Sequence, residues 1–546
     1  MRRLERKLKR RLELKLKLEL KRKLKRRLKP IGLLALSLLV AKAAMGQEAD
    51  SVATSLSQLE LYQTESRWSE AVSSALSAQP WCNYGRIEVD TRWTNGNYHR
   101  AQEAASSTHI DARADGAVML GNYRVRGNID LHQHWNRGVQ YALMMNPLRD
   151  MPYQWADSTG GDWRQQQYQL GASIISPMCG AHFSWAVDVG LQVGRGAKNT
   201  DPRPQDNTNR LQAIPSLTWH NRVLQTSLYA GYFRTRQRTE LMLYNSSEPQ
   251  KLYLMKGLGQ YTWEVMSTSQ HERQFKGDGW QGGVQMGHEW KRHGMMLGID
   301  VDNGTEDVYD MIDNSPRHVG RVYSLGAGIH MDWQIRRKRW LHVFTYKVNA
   351  VGLSGREFIQ VFNSSADVNR WETLAEAPAR YTSGRTTDLI GYEGYRKDEG
   401  SKDYRWKFGL QTGYVSMDED YEVMNAQRYT NDCITQANVY HRFPCGSRLK
   451  AMVGLDLTWK SSMADDYQDY RYSPRETDDT NISQGLMQHD WNYLTEDYFR
   501  YAVVGRLEWN CLPASLLYLQ LSGSGLTTSP NHHHRRQMQV SLGYLF

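Results

Sequence analysis

Residues 123–135 read YRVRGNIDLHQHW, and along them Tyr123, Val125, Ile129, Leu131 and Trp135 alternate with Arg124, Arg126, Asn128, Asp130, His132 and His134. Successive side chains of a β-strand point to opposite faces. A strand here therefore has one apolar face and one charged face. The same split recurs at Ile87, Val89 and Trp93 against Arg86, Glu88, Asp90 and Arg92, and at Phe183, Trp185, Val187, Val189, Leu191 and Val193 against His182, Ser184, Asp188 and Gln192. It returns along Tyr323–Trp333, Leu449–Trp459 and Phe499–Trp509.

A soluble β-sandwich alternates too, so the period alone does not choose between lipid and a second sheet. Three further signals do. The stripes run for about 10–14 residues, beyond the usual 5–6 of soluble sheets and near the 9–11 that a tilted membrane strand needs. They repeatedly end in tryptophan, at Trp93, Trp135, Trp219, Trp290, Trp333, Trp459 and Trp509, where an interfacial aromatic girdle belongs. Finally, the chain closes on Met538, Val540, Leu542, Tyr544 and Phe546 alternating with Gln539, Ser541 and Gly543. The expected fold is all-β: a closed antiparallel transmembrane barrel of about 18 strands, within a range of 14–18.

The expected upward strands lie near 84–94, 123–146, 182–194, 221–235, 294–303, 339–352, 419–429, 447–460 and 514–524. Downward strands are expected near 108–120, 165–175, 209–219, 279–290, 320–335, 403–417, 433–443, 498–509 and 536–546. With both termini periplasmic, the tight connections (Gly121-Asn122, His220-Asn221, KRHG, RRKR, PCGS) fall on one side. The long segments 236–278, 353–402 and 461–497 fall on the other, as outer-membrane barrels require. A bulge is expected at Asn136-Arg137-Gly138.

Composition agrees. Tyrosine (31) and tryptophan (18) far outnumber phenylalanine (10), which suits a surface half wet and half greasy. Mean hydropathy is −0.67, against a bundle of membrane helices. The net charge of +10 is misleading. Met1–Lys29 holds 16 Lys and Arg against 3 Glu, and with Lys42 this leaves about −4 for everything from Gln47 onward. The basic balance therefore belongs to the leader, and no nucleic-acid partner is expected. That leader, a low-complexity basic tract followed by the apolar run IGLLALSLLVA and small residues at Ala44 and Gly46, reads as a secretory signal peptide over 1–46. A short helical or irregular segment, 47–80, precedes the barrel at 84–546. It is too short for the whole domain that fills the lumen of an energised receptor, which argues against a TonB-dependent transporter.

Lumen-facing residues are expected to be Arg86, Glu88, Asp90, Arg92, Asp111, Arg113, Asp115, Arg124, Arg126, Asp130, His132 and His134. Burying so many charges dry would cost several kcal/mol per unpaired ion, so a wet lumen is expected, with charges paired across strands. His132 and His134 lie two apart on one face; they are either a metal chelate or solvated lumen side chains. His532-His533-His534-Arg535-Arg536 sits in the last outer loop, read as a polar surface tract, with metal or lipopolysaccharide phosphate as its alternative ligands. Cys82, Cys179, Cys445 and Cys511 fall near periplasmic turns, where disulfides are permitted; a bridge between Cys445 and Cys511 is expected, against the alternative of unpaired thiols. No GxSxG, HExxH or P-loop is present. No enzymatic activity, cofactor or bound metal is expected.

These features together resemble the uncharacterised porin-like outer-membrane barrel proteins of Bacteroidetes-type bacteria. The likeness rests on the leader, the roughly 500-residue mature length, the short N-terminal segment, the Arg/Trp/Tyr-bearing strands and the closing VSLGYLF. It implies an outer-membrane address, contact with lipid and lipopolysaccharide, and recognition of Val540, Leu542, Tyr544 and Phe546 by the barrel-assembly machinery. The activity expected is passive or facilitated passage of small solutes. The alternative is a surface barrel whose long outer loops bind a partner or glycan.

Overall fold

The computed structural model describes residues 53–546, apart from 181, 246, 248–249, 267–269, 313–314, 366–367, 399–402, 447, 464–466, 470–481 and 513–514. The leader and the start of the N-terminal segment lie outside the described residues.

In chain order the strands begin with β1 (Tyr84–Gly96), β2 (Ser106–Leu120), β3 (Tyr123–Val139), β4 (Trp155–Ala156), β5 (Gly161–Ile175), β6 (Phe183–Lys198), β7 (Arg203–His220) and β8 (Leu224–Met242). Next come β9 (Gln250–Gly257), β10 (Gln260–Met266), β11 (Gln270–Trp290), β12 (His293–Ile312), β13 (Ser315–Arg336), β14 (Trp340–Ser365) and β15 (Val368–Lys397). The set ends with β16 (Tyr404–Tyr421), β17 (Ala426–Pro444), β18 (Leu449–Ser462), β19 (Tyr467–Asp469), β20 (Asp497–Leu512), β21 (Ser515–Ser529) and β22 (His534–Leu545). Eighteen of them form one antiparallel barrel. It closes where β1 pairs with β22, from Arg86 opposite Leu545 to Gly96 opposite Arg535. Closure removes the unpaired edges that lipid could not satisfy. Strands β4, β9 and β10 form a separate small sheet, and β19 adds to β17.

Two periodic faces explain why these residues make a barrel in lipid. On β6, Phe183, Trp185, Val187, Val189, Leu191 and Val193 are all exposed, and Ile299, Val301, Leu325, Leu455, Leu521 and Leu542 do the same elsewhere. Leaving such side chains in water instead of an apolar medium costs roughly 1.5–3 kcal/mol each. Among the described residues no helix is long and apolar enough to cross a membrane; the strands provide the apolar belt.

The structure corrects the strand reading in several regions. The expected loop 236–278 is largely strand: β8 runs to Met242, β9 and β10 form a hairpin, and β11 starts at Gln270. Residues 353–402 are mostly the upper part of β14 and the whole of β15, a 30-residue strand, and not a loop. The segment 403–417 consequently runs upward as β16. Residues 419–429 are not a strand of their own: they end β16, pass through a 3-10 turn at Glu422–Met424, where Asn425 takes φ 49°, and begin β17. One strand missed and one supernumerary cancel in the count. A further correction concerns 123–146. The strand stops at Val139, its pairing with β5 shifts between Asn136 and Val139, and Gly138 adopts φ 70°. The apolar run Leu143-Met144-Met145 is buried inside the barrel.

The Cys445–Cys511 bridge is not formed; both are thiols. Each is engaged within its own turn: Cys511 Sγ lies 3.6 Å from Ser515 Oγ, and Cys445 Sγ lies 4.0 Å from the Phe443 carbonyl.

Candidate functional site

The wall supplies a ladder of charges, and cross-strand register decides which meet. Arg86 stands opposite Asp115, Asp90 opposite Asp111, Arg92 opposite His109, Asp111 opposite His132, and Arg113 opposite Asp130. Arg86 donates to Asp115 at 2.9 Å and Arg113 to Asp130 at 2.5 Å. Glu88 accepts from the Tyr518 hydroxyl, and Asp90 from Gln539 at 3.3 Å. Asp90 facing Asp111 would be repulsive alone. Asp111 is compensated by His132 at 2.7 Å, His134 at 3.2 Å and Arg92 at 3.8 Å.

Two of the expected lumen residues do something that the sequence did not signal: they hold the N-terminal segment. Arg124 donates to the carbonyl of Gln79 at 2.9 Å, and to that of Leu76. Arg126 donates to the carbonyl of Trp68 at 3.0 Å, and its guanidinium lies over the Trp68 ring. The segment opens with helix α1 (Leu56–Glu65), whose N-cap Ser55 accepts from the Gln58 amide. Leu56 and Leu59 pack on Tyr84, Leu516, Tyr518 and Leu545, while Leu61 packs on Leu341, Val343, Tyr395 and Tyr404. From there the chain winds around the inner wall. Glu60 meets Lys407 of β16 at 2.8 Å, Glu70 meets Lys347 of β14 at 3.0 Å, Ser73 donates to Asp188 of β6 at 2.6 Å, and Ser74 bonds Thr218 of β7 at 2.6 Å.

Arg67 is the centre of this attachment. Its side chain is 5% exposed and bonds Glu289 of β11 and Asp332 of β13, both at 2.7 Å. Its φ of 51° is left-handed, a strain of order 1–3 kcal/mol. Removing Arg67 would leave Asp332 buried without its cation, and breaking a buried ion pair in this way costs about 3–5 kcal/mol. Most of these wall residues lie toward the short turns, so 53–83, the stopper, occupies that end of the lumen. Burial pushes the Tyr62 phenol up to about 12, so this tyrosine stays neutral in the stopper.

The other end is narrowed by residues 140–157. Met144, Met151 and Tyr153 pack against Phe275, Val308 and Val322, while Leu143 and Trp155 pack against Leu241 and Leu252. Asp206 accepts from the Met145 amide at 2.7 Å, Glu306 pairs with Arg149 at 2.7 Å, and Arg273 grips Asp310 through two bonds of 2.6 and 2.7 Å. The hairpin β9–β10 and helix α2 (Ile482–Thr495) lie above. Tyr98 stacks on Tyr493 at 4.7 Å, and Arg100 pairs with Asp490.

Between the two closures lie two cavities. One, of about 490 Å³, is lined by Ser107, His109, Asn136, Met145, Arg149 and Arg535; the other, of about 590 Å³, by Trp68, Arg86, Arg113, Asp130, Arg210 and Gln212. On β2 the first reaches down to His109 and the second up to Arg113. At about 3.3 Å per residue, Asp111 with His132 and His134 lies on the wall between the two linings. His109 joins the cluster, its ring stacked on His134 at 3.8 Å. It was missed in the sequence, although it lies two residues before Asp111 on the same face. The stopper left only a faint trace there: serines at 55, 57, 66, 69, 73, 74 and 77, most of them buried, offering small hydroxyls to a polar wall. At the far end of the chain, Tyr544 and Phe546 stack at 5.5 Å and Leu542 faces outward. His532 and His534 are exposed, while His533 lies 2.9 Å from Glu496.

Residues 73–546 match a family of unknown function (DUF6850). No curated protein matches the sequence. Among solved structures, the chain is similar to the copper transporter OprC, at 10% identity and TM-score 0.35 over 84% of this chain and 80% of that one. It is similar to the siderophore receptor PiuA from Acinetobacter baumannii, at 8% identity and TM-score 0.37 over 85% and 82%. A third is the TodX monoaromatic hydrocarbon channel in a ΔS2S3 mutant, at 10% identity and TM-score 0.32 over 92% and 97%.

Proposed function

The chain belongs to the family of unknown function DUF6850, and from that premise we propose that it is a non-enzymatic outer-membrane barrel that passes small polar solutes through a gated lumen. One observation carries the reading: two cavities of about 490 and 590 Å³, lined in part by charged groups, lie inside the wall, and the segment beside the lower one is held largely by breakable ion pairs and hydrogen bonds, those of Arg67 among them. A structural barrel has no need of a polar interior that is kept hollow. Residues 1–46 act as the export leader, the apolar belt seats the barrel in lipid and lipopolysaccharide, and Val540, Leu542, Tyr544 and Phe546 serve as the assembly signal.

The test is planar-bilayer recording of the purified barrel beside R67A. The wild type is expected to show rare openings, and R67A an open probability at least tenfold higher. A barrel silent in both forms at every voltage would overturn the reading.

Such silence would favour a surface-binding role, for which there is one specific observation. Above Glu357 β14 pairs only with β15, so a two-stranded hairpin rises clear of the barrel. It bears exposed Ile359, Val361 and Leu374 beyond the reach of lipid. An apolar surface in that position suits a protein partner.

A further inference from the structure

We propose that His109, Asp111 and His134 form a binding site for a divalent transition-metal ion on the lumen wall between the two cavities. Register brings them together: β2 and β3 place His109 opposite His134, and Asp111 opposite His132. One nitrogen from each of His109 and His134 and one oxygen of Asp111 all lie within 4.8 Å of one another. Zinc holds such donors at about 2.0–2.2 Å, so His109 and His134 must turn their rings out of the stack to close the set around an ion, a side-chain movement that leaves the strands in place. Two imidazoles and a carboxylate suit zinc, nickel or copper(II), whereas calcium and magnesium favour oxygen alone.

The surroundings supply the other parts of a metal site. His132 Nδ1 lies 2.7 Å from the same Asp111 oxygen that His134 Nε2 approaches at 3.2 Å. It thus orients the carboxylate from behind, as outer partners of metal ligands do. His109 lines the outer cavity, so an ion or its small complex reaches the site through solvent. The remaining coordination positions face the lumen and are open to water or to a donor atom of a passing solute.

Arg92 sits where a cation's charge would act. It donates to His109 Nδ1 at 2.9 Å and lies 3.8 Å from Asp111. In the metal-free site its guanidinium satisfies these two groups, and an incoming ion must displace it. Glu88 and Asp90, on the same face of the same strand, provide carboxylates toward which it can turn. Arg92 therefore sets the affinity by competition, and its removal strengthens binding. An anion site made by the same cluster would behave in the opposite way.

The test needs no conduction, so its outcome is separate from that of the channel reading. The full-length barrel, purified in detergent and stripped with EDTA, is titrated with ZnCl2 by calorimetry. An H532N/H534N background removes the competing histidines of the last outer turn. One ion per barrel is expected. D111N and H134Q should each weaken binding by at least tenfold, and R92Q should tighten it. Heat-modifiable gel mobility shows that each variant is folded. Cobalt(II) added to the unsubstituted chain gives a visible ligand-field spectrum, a second readout independent of any variant and displaced by zinc. Absence of saturable binding, equal binding by D111N and H134Q, or weaker binding by R92Q overturns the proposal.

Discussion

Asp403, at the turn into β16, shows how single groups hold the stopper. It accepts from Ser57 at 2.9 Å and from Ser55, and pairs with Arg442 at 2.8 Å and Lys450 at 3.2 Å. Burial alone would raise its pKa, but Arg442, the Ser55 hydroxyl and Lys450 outweigh burial and hold it down to about 2 from 3.8. A carboxylate depressed in the docked state adds stability that is complete above the undocked value and is lost only as pH falls through the docked one. Docking of α1 should therefore be constant from pH 8 to pH 5, loosen below about pH 4, and lose this contribution near pH 2. D403N should lower hydrogen-exchange protection of the Leu59–Glu65 amides several-fold at pH 7, because Ser55 and Ser57 lose an ionised acceptor. Equal protection in D403N and wild type, or a midpoint near pH 6 in the wild type, would show that the anchor lies elsewhere.

At the scale of elements, the β14–β15 hairpin separates what closes the barrel from what is displayed on it. Strand β13 reaches β14 only as far as Glu357, and β16 reaches β15 only as far as Tyr381. Replacing 358–379 by a two-residue Asn-Gly turn should leave heat-modifiable mobility intact and shift Tm by less than about 3 °C. Failure of that variant to form a heat-modifiable barrel would mean that the hairpin is needed for closure. The same boundary explains where the sequence was readable. Lipid enforces alternation only within its belt, so β6, β13 and β20 stood out by period. The upper half of β15, with Glu372, Glu376 and Pro378, meets water on both faces and carries no stripe. In its lower half Thr386 and Asp388 share a face with Ile390, diluting the signal. The charged ladder from Arg86 to His134 was legible for the same reason that the strands were. Its occupant was not: the N-terminal segment docks through backbone carbonyls, serines, Arg67 and a few leucines, a mixture that sets no period of its own.

Across the whole molecule the two closures act in series but differ in kind. Beside the packing of Leu56, Leu59 and Leu61, the stopper is tied on by polar contacts to strands around the wall, so it leaves as a unit when its anchor fails. The inward segment 140–157 is packed through apolar side chains such as Leu143, Met144, Tyr153 and Trp155, and through the fully buried Lys198–Asp157 pair at 2.5 Å. It behaves as part of the wall and fixes the bore. In series, a release step controls how often the path opens, and a fixed constriction controls how much each opening carries. R67A should therefore raise open probability while leaving the current step unchanged. Replacing Asn146–Asp150 by two glycines, which trims the loop beside the outer cavity, should enlarge the step several-fold without changing open probability. Combined, the two changes should multiply in mean current, because neither alters the other's barrier. If both variants change the same parameter, the stopper and the loop form one gate, and the separation into two cavities has no mechanical meaning.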